Sequence, residues 1–362
     1  TVSGNSFGTA VSGEGFALAG LNADRQENMV VSGNEVQNVT NATTASNMFG
    51  LRLLDFKNGQ CFNNNIHDMT YTGTSTPKLY GIAVSSSSYT TVGSPSNGLF
   101  YNNFVSRITS TGTSAVWNAT GILAGAGYGD RFYHNSVSLT GQLANSTSGL
   151  VTCFGNGDGN ITAAGTNIDV RNNIFSLTGT NGNTGGNWWA FYSRATSLAG
   201  STINYNVLHC NGTGATNNAG YFNSTSYASL AAWQAASSQD ANSVATAPVF
   251  TSTTDLHLVT GLSVALNDLG TPIALVTTDI DGDVRSGTTP DMGADEFSVP
   301  LQDAGVTAIV LPPSLCGGSA LVSATVTNFG LTPLTSVQIK WSVDAVPQTP
   351  VNLGPINIVT GA

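Results

Sequence analysis

The chain has 362 residues, 40% of them apolar and only 8% Asp, Glu, Lys or Arg, and its 42 glycines point to short strands and turns rather than solvated helices. A net charge of -10 excludes electrostatic attraction to nucleic acid or anionic membranes. No run of eighteen apolar residues occurs, so membrane insertion is not expected.

The opening T-V-S-G-N-S-F already carries a phrase that recurs: an apolar residue, a short polar step holding an Asn, then alternating apolar residues. It returns as V-S-G-N-E-V-Q-N-V (31–39), C-F-N-N-N-I-H-D-M (61–69), F-Y-N-N-F-V-S-R-I (100–108), F-Y-H-N-S-V-S-L (132–139), V-R-N-N-I-F-S-L-T (170–178) and I-N-Y-N-V-L-H-C (203–210). The equivalent asparagines are Asn34, Asn64, Asn103, Asn135, Asn173 and Asn206, spaced by 30, 39, 32, 38 and 33 residues. Because the pattern is under way at Thr1, the chain is expected to be a processed form or a fragment. Downstream of each phrase comes a short apolar strand, usually led by Gly: G-L-R-L-L (50–54), G-I-A-V (81–84), G-I-L-A (121–124), G-L-V-T-C-F (149–154), W-A-F-Y (189–192) and G-Y-F (220–222).

Three short strands per repeat, separated by polar stretches of uneven length, describe one coil of a parallel β-helix. In such a coil an inward Asn at one corner stacks on its neighbours and hydrogen-bonds along the axis, which gives the six asparagines a structural role. The pattern over 1–225 resembles the right-handed parallel β-helix proteins, the broad group that includes pectate lyases and many bacterial surface proteins. That resemblance implies an all-β fold and carries no catalytic motif with it.

Residues 226–299 read as the last coils and a C-terminal cap. One short helix is expected there, with Ser226 or Ser229 as N-cap and Leu230, Trp233 and Ala236 on one face. The stretch D-I-D-G-D-V-R-S-G-T-T-P-D-M-G-A-D-E-F is similar to the closing segment of β-helix proteins secreted by Bacteroidetes-type bacteria. Residues 300–362 alternate cleanly, with Val337, Ile339, Trp341 and Val343 on one face, as in an antiparallel sandwich. They resemble part of an immunoglobulin-like adhesion module.

Chemistry is sparse. Cys61, Cys153, Cys210 and Cys316 lie far apart without C-x-x-C spacing, so metal binding and redox chemistry have no support from them; the first three read as small buried hydrophobes. His67 and Asp68 follow one Asn corner and Arg107 the next, so these three are the catalytic candidates, able to meet on adjacent coils. Trp188, Trp189 and Tyr192 are candidates for stacking on a glycan, against a packing role. Asp279, Asp281 and Asp283 are Ca²⁺ candidates, against an Asp-Gly turn with an Arg285 ion pair, which is the preferred reading; no cofactor is required. The expectation is a non-enzymatic, extracellular or cell-surface structural or adhesin-type rod, with surface glycans or envelope proteins as partners. The alternatives are a polysaccharide lyase or glycoside hydrolase, or a non-catalytic glycan-binding rod.

Overall fold

A computed structural model describes residues 1–8, 18–42, 46–73, 75–113, 117–158, 162–311 and 321–361. The regular secondary structure of the described chain is nearly all strand, in two compact units: 1–257 with 268–296, and 258–267 with 297–362.

In the first unit successive repeats contribute strands to the same sheets. One sheet takes Val2–Ser3, Val30–Ser32, Gln60–Phe62, Leu99–Tyr101, Arg131–Tyr133, Asp169–Arg171 and Thr202–Asn204 in sequence order, all parallel. A second takes Ser6–Phe7, Glu35–Val36, Asn65–Ile66, Phe104–Ser106, Ser136–Leu139, Ile174–Leu177 and Val207–Cys210. A third runs from Ala19–Asp24 through Met48–Leu54, Leu79–Ser85, Trp117–Ala124, Leu150–Asn156 and Asn187–Ser193 to Thr216–Phe222, closed by the antiparallel Thr225–Tyr227.

Parallel in-register pairing stacks equivalent residues, so the core is a set of columns. Val31, Cys61, Phe100, Phe132, Val170 and Ile203 form one, and Val36, Ile66, Val105, Val137, Phe175 and Leu208 another; all are buried. Cys61 and the equally buried Cys153 are thus core residues, and burial pushes the Cys61 thiol up to about 12. Cys210 is half-buried, and Cys316 lies outside the described residues.

The glycines that lead the third-sheet strands have a steric cause. A Cβ on Gly20, Gly50, Gly81 or Gly121 would lie 2.3–2.4 Å from the side chain of Val36, Ile66, Val105 or Val137 respectively. The second and third sheets meet too closely there for a side chain on both.

The helix α1 (Leu230–Ser237) follows the last repeat, with the Ser229 side chain accepting from the Ala232 amide at N-cap. It buries Trp233 and Ser237, with Leu230 half-buried; Ala236, expected on the same face, is exposed. The Trp233 ring fills the space over Gly220, where a Cβ would come within 2.4 Å of it, and packs on Phe191 at 5.4 Å. The expected cap is therefore divided. The helix covers the end of the core, whereas 268–296 lies along the flank: Ile273 and Val276 pack on Leu99 and Tyr133, and Ile280 and Ala294 join the Phe104 cluster.

The second unit, taken by itself, consists of antiparallel ribbons: Ala304–Val310 with Ser323–Asn328, Val337–Ile339 with Val351–Leu353, and a tight hairpin of Ser342–Val343 with Val346–Pro347. Of the face expected to be apolar and inward, Val337 and Ile339 are half-buried while Trp341 and Val343 are exposed.

Candidate functional site

Two sets of polar side chains run across the repeats, one inside and one outside. Inside, Asn34, Asn64, Asn103, Asn135 and Asn173 each donate Nδ2 to Oδ1 of the next rung at 2.9–3.0 Å, ending on Asn206. The same Oδ1 accepts the backbone amide of the preceding rung. The other Nδ2 hydrogen reaches a strand carbonyl, as from Asn103 to Cys61 at 2.9 Å. Asn5 adds a rung at the start. The residue before each rung has a left-handed backbone, from Gly33 (φ 60°) and Asn63 (φ 53°) to Tyr205 (φ 56°), which turns the rung inward; Gly and Asn adopt that conformation at least cost. The ladder satisfies turn backbone groups that the buried corner would otherwise orphan.

Outside, the second sheet brings His67, Asp68 and Arg107 together. His67 Nδ1 lies 2.8 Å from Asp68 Oδ2, and Arg107 Nε lies 3.0 Å from Asp68 Oδ1. Glu35 completes the group, its Oε1 3.2 Å from His67 Nε2. Asp68 (φ 56°) and Arg107 (φ 46°) are corner residues, which is why they leave the strand line and meet. His67 is 7% exposed. Burial pulls its pKa down, but the hydrogen bonds and charges of Asp68 and Glu35 prevail and raise it above the usual histidine value. Asp68 is held below the usual carboxylate range by its bond to His67, against burial and with help from Arg107. Each ring nitrogen of His67 thus lies within hydrogen-bond distance of a carboxylate, so neither stands open toward a substrate proton in this geometry.

Glu35 escaped sequence reasoning because it stands 32 residues before His67 and two before the residue that aligns with it. The signal was the register itself: pairing Val36 with Ile66 puts Glu35 on the same outward side as His67.

The aromatic candidates divide between inside and outside. Trp188 is fully buried in the main core, while Trp189 (3% exposed) and Tyr192 (6%) pack with Trp117 and Tyr221 outside the third sheet. None of the three offers an open ring face, and all serve packing.

Asp279 and Arg285 of the acidic stretch are tied into its own fold. Asp279 is buried and accepts the amides of Asp281, Asp283 and Glu296 at 2.9, 2.8 and 3.1 Å. Asp281 turns to His257, with its Oδ2 2.8 Å from Nε2. Arg285 pairs with Glu296 at 3.1 Å and also donates to Asn102 Oδ1 and Gly293 O, both at 3.0 Å. Asp279 and Asp281 thus aim at different partners instead of converging on one cation with Asp283. A polar hollow of about 400 Å³ is lined by Asn97, Arg131, Asn167, Asp169 and Thr202 among others, and none of the candidate residues borders it.

No protein-family model matches this chain, and neither a curated protein nor a solved structure shows significant similarity to it.

Proposed function

We propose that the three parallel sheets are the faces of a right-handed parallel β-helix with three strands per coil, and that the chain is a non-catalytic structural or adhesin-type segment of a secreted or cell-surface protein. Its last residues are read as part of an immunoglobulin-like module, and its partners as surface glycans or envelope proteins. The observation that carries this reading is the closure of the outward polar group: both ring nitrogens of His67 are taken up by Glu35 and Asp68, and Asp68 also pairs with Arg107. Low charge and uneven surface loops on a regular core fit a display scaffold.

Incubation of the full chain with acidic and neutral polysaccharides should release neither unsaturated nor reducing ends. The rival reading, a polysaccharide lyase or glycoside hydrolase, rests on the meeting of those same four residues on one outer face. Cleavage that disappears in His67→Ala and Arg107→Ala would establish the rival and overturn the scaffold.

A further inference from the structure

A second histidine, outside the group just described, lies in a setting of different chemistry. His257 Nδ1 contacts Asp255 Oδ1 closely, and its other nitrogen faces Asp281. One ligand atom each from His257, Asp281 and Asp295 lies within 4.8 Å of the others. His257 and Asp281 reach solvent, while Asp295 is 8% exposed. The ring is fixed edge-on against Phe104, centroids 5.0 Å apart. Among the described residues, Asp255 and Asp281 form ion pairs with His257 and with no lysine or arginine.

We propose that His257 Nε2, Asp281 and Asp295 form a binding site for a divalent transition cation of the Zn²⁺ class. Two features separate this from an ordinary acidic patch. An imidazole is a ligand for Zn²⁺ and its neighbours but not for Ca²⁺, whose shell is oxygen. A carboxylate on Nδ1 fixes the tautomer that presents Nε2, the arrangement that orients metal-bound histidines in general. The three carboxylates supply the negative charge that a divalent cation would offset. Three protein ligands beside solvent leave coordination positions for water, and the ion would tie 268–296 to the segment ending at His257.

The test is calorimetric titration of the full chain, stripped with EDTA, with ZnCl₂ at pH 7.5 and in parallel with CaCl₂. One saturable Zn²⁺ per chain is expected, weakened at least tenfold in His257→Ala and Asp281→Asn and about 10–100-fold in Asp255→Asn. Asp283→Asn and His67→Ala should bind as the parent does. Co²⁺ should give visible absorption bands that His257→Ala lacks, and EDTA-stripped His257→Ala should melt close to the parent, separating lost ligation from lost fold. Absence of Zn²⁺ binding, binding unchanged in His257→Ala, or Ca²⁺ bound as tightly as Zn²⁺ would each overturn the proposal.

Discussion

The carboxylate of Asp240 accepts the indole N–H of Trp233 at 2.7 Å. Its other oxygen accepts Nδ2 of Asn206 at 3.0 Å and the Ser243 hydroxyl. One buried side chain therefore joins the end of the asparagine ladder to the ring that covers the end of the core.

Replacing it should be costly. Asp240→Ala leaves the buried indole N–H, an Asn206 amide hydrogen and the Ser243 hydroxyl without their acceptor, and a loss of about 3–5 kcal/mol is expected. Urea denaturation followed by Trp fluorescence would measure it. A loss below about 1 kcal/mol would mean that α1 is held by Trp233 packing alone.

Within the ladder, position should matter more than composition. Asn103→Ala removes bonds in both directions, to Asn64 and Asn135, and is expected to cost about 2–4 kcal/mol. Asn103→Asp should cost at least as much, because a carboxylate cannot donate to Asn135 Oδ1. Asn5→Ala, at the exposed start, should cost well under half as much as Asn103→Ala. Equal losses at the two positions would contradict the ladder as a cooperative network.

Gly121→Ala tests the close approach of the second and third sheets. The added methyl would meet Val137 Cγ1 at 2.3 Å and the Cys153 carbonyl oxygen at 2.5 Å. Backbone on one side leaves little room to yield, so the variant should lose about 2–4 kcal/mol or fail to accumulate as folded protein. Val137→Ala in the same chain should recover part of the loss, a coupling that a double-mutant cycle reads directly.

Two titrations act in different pH windows. Asp130 is buried, and desolvation raises its pKa to about 6, against the bonds from Ser96 and the Gly98 amide and the charge of Arg131. Its ionised form thus destabilises the fold above about pH 6, and this penalty of about 3 kcal/mol is relieved as pH falls toward the unfolded value. Asp130→Asn should flatten that part of the profile. His67 has a raised pKa, so its contribution is complete below the unfolded histidine value and is lost as pH rises through the folded one. Chemical denaturation between pH 6 and 9 should show stability falling less steeply in His67→Gln than in the parent.

The all-β class and parallel pairing were legible because in-register stacking makes the sequence repeat itself: Val31, Cys61 and Phe100 occupy one column, and each opens the same phrase. What lay beyond the sequence was whatever depends on neighbours across columns. Gly50, Gly81 and Gly121 of the third-sheet strands could be seen, but their reason, a Val or Ile of the second sheet, could not. His257 with Asp281 needs the tail to fold back along the repeats, and no period announces that. Trp188 and Trp189 look alike in sequence, yet strand alternation sends one into the core and the other outside.

The ladder also has an electrical sense. Every rung from Asn5 to Asn173 donates toward the higher-numbered neighbour, so the side-chain amide dipoles point one way and add, as peptide dipoles add along a helix. Their negative oxygen ends face the Asn5 side, and their positive hydrogen ends accumulate at Asn206. Asp240 sits at that positive pole, fully buried and with no lysine or arginine paired to it among the described residues. Desolvation raises the Asp240 pKa, and the Asn206 amide at the end of this file of dipoles works against that rise, as an ion pair otherwise would.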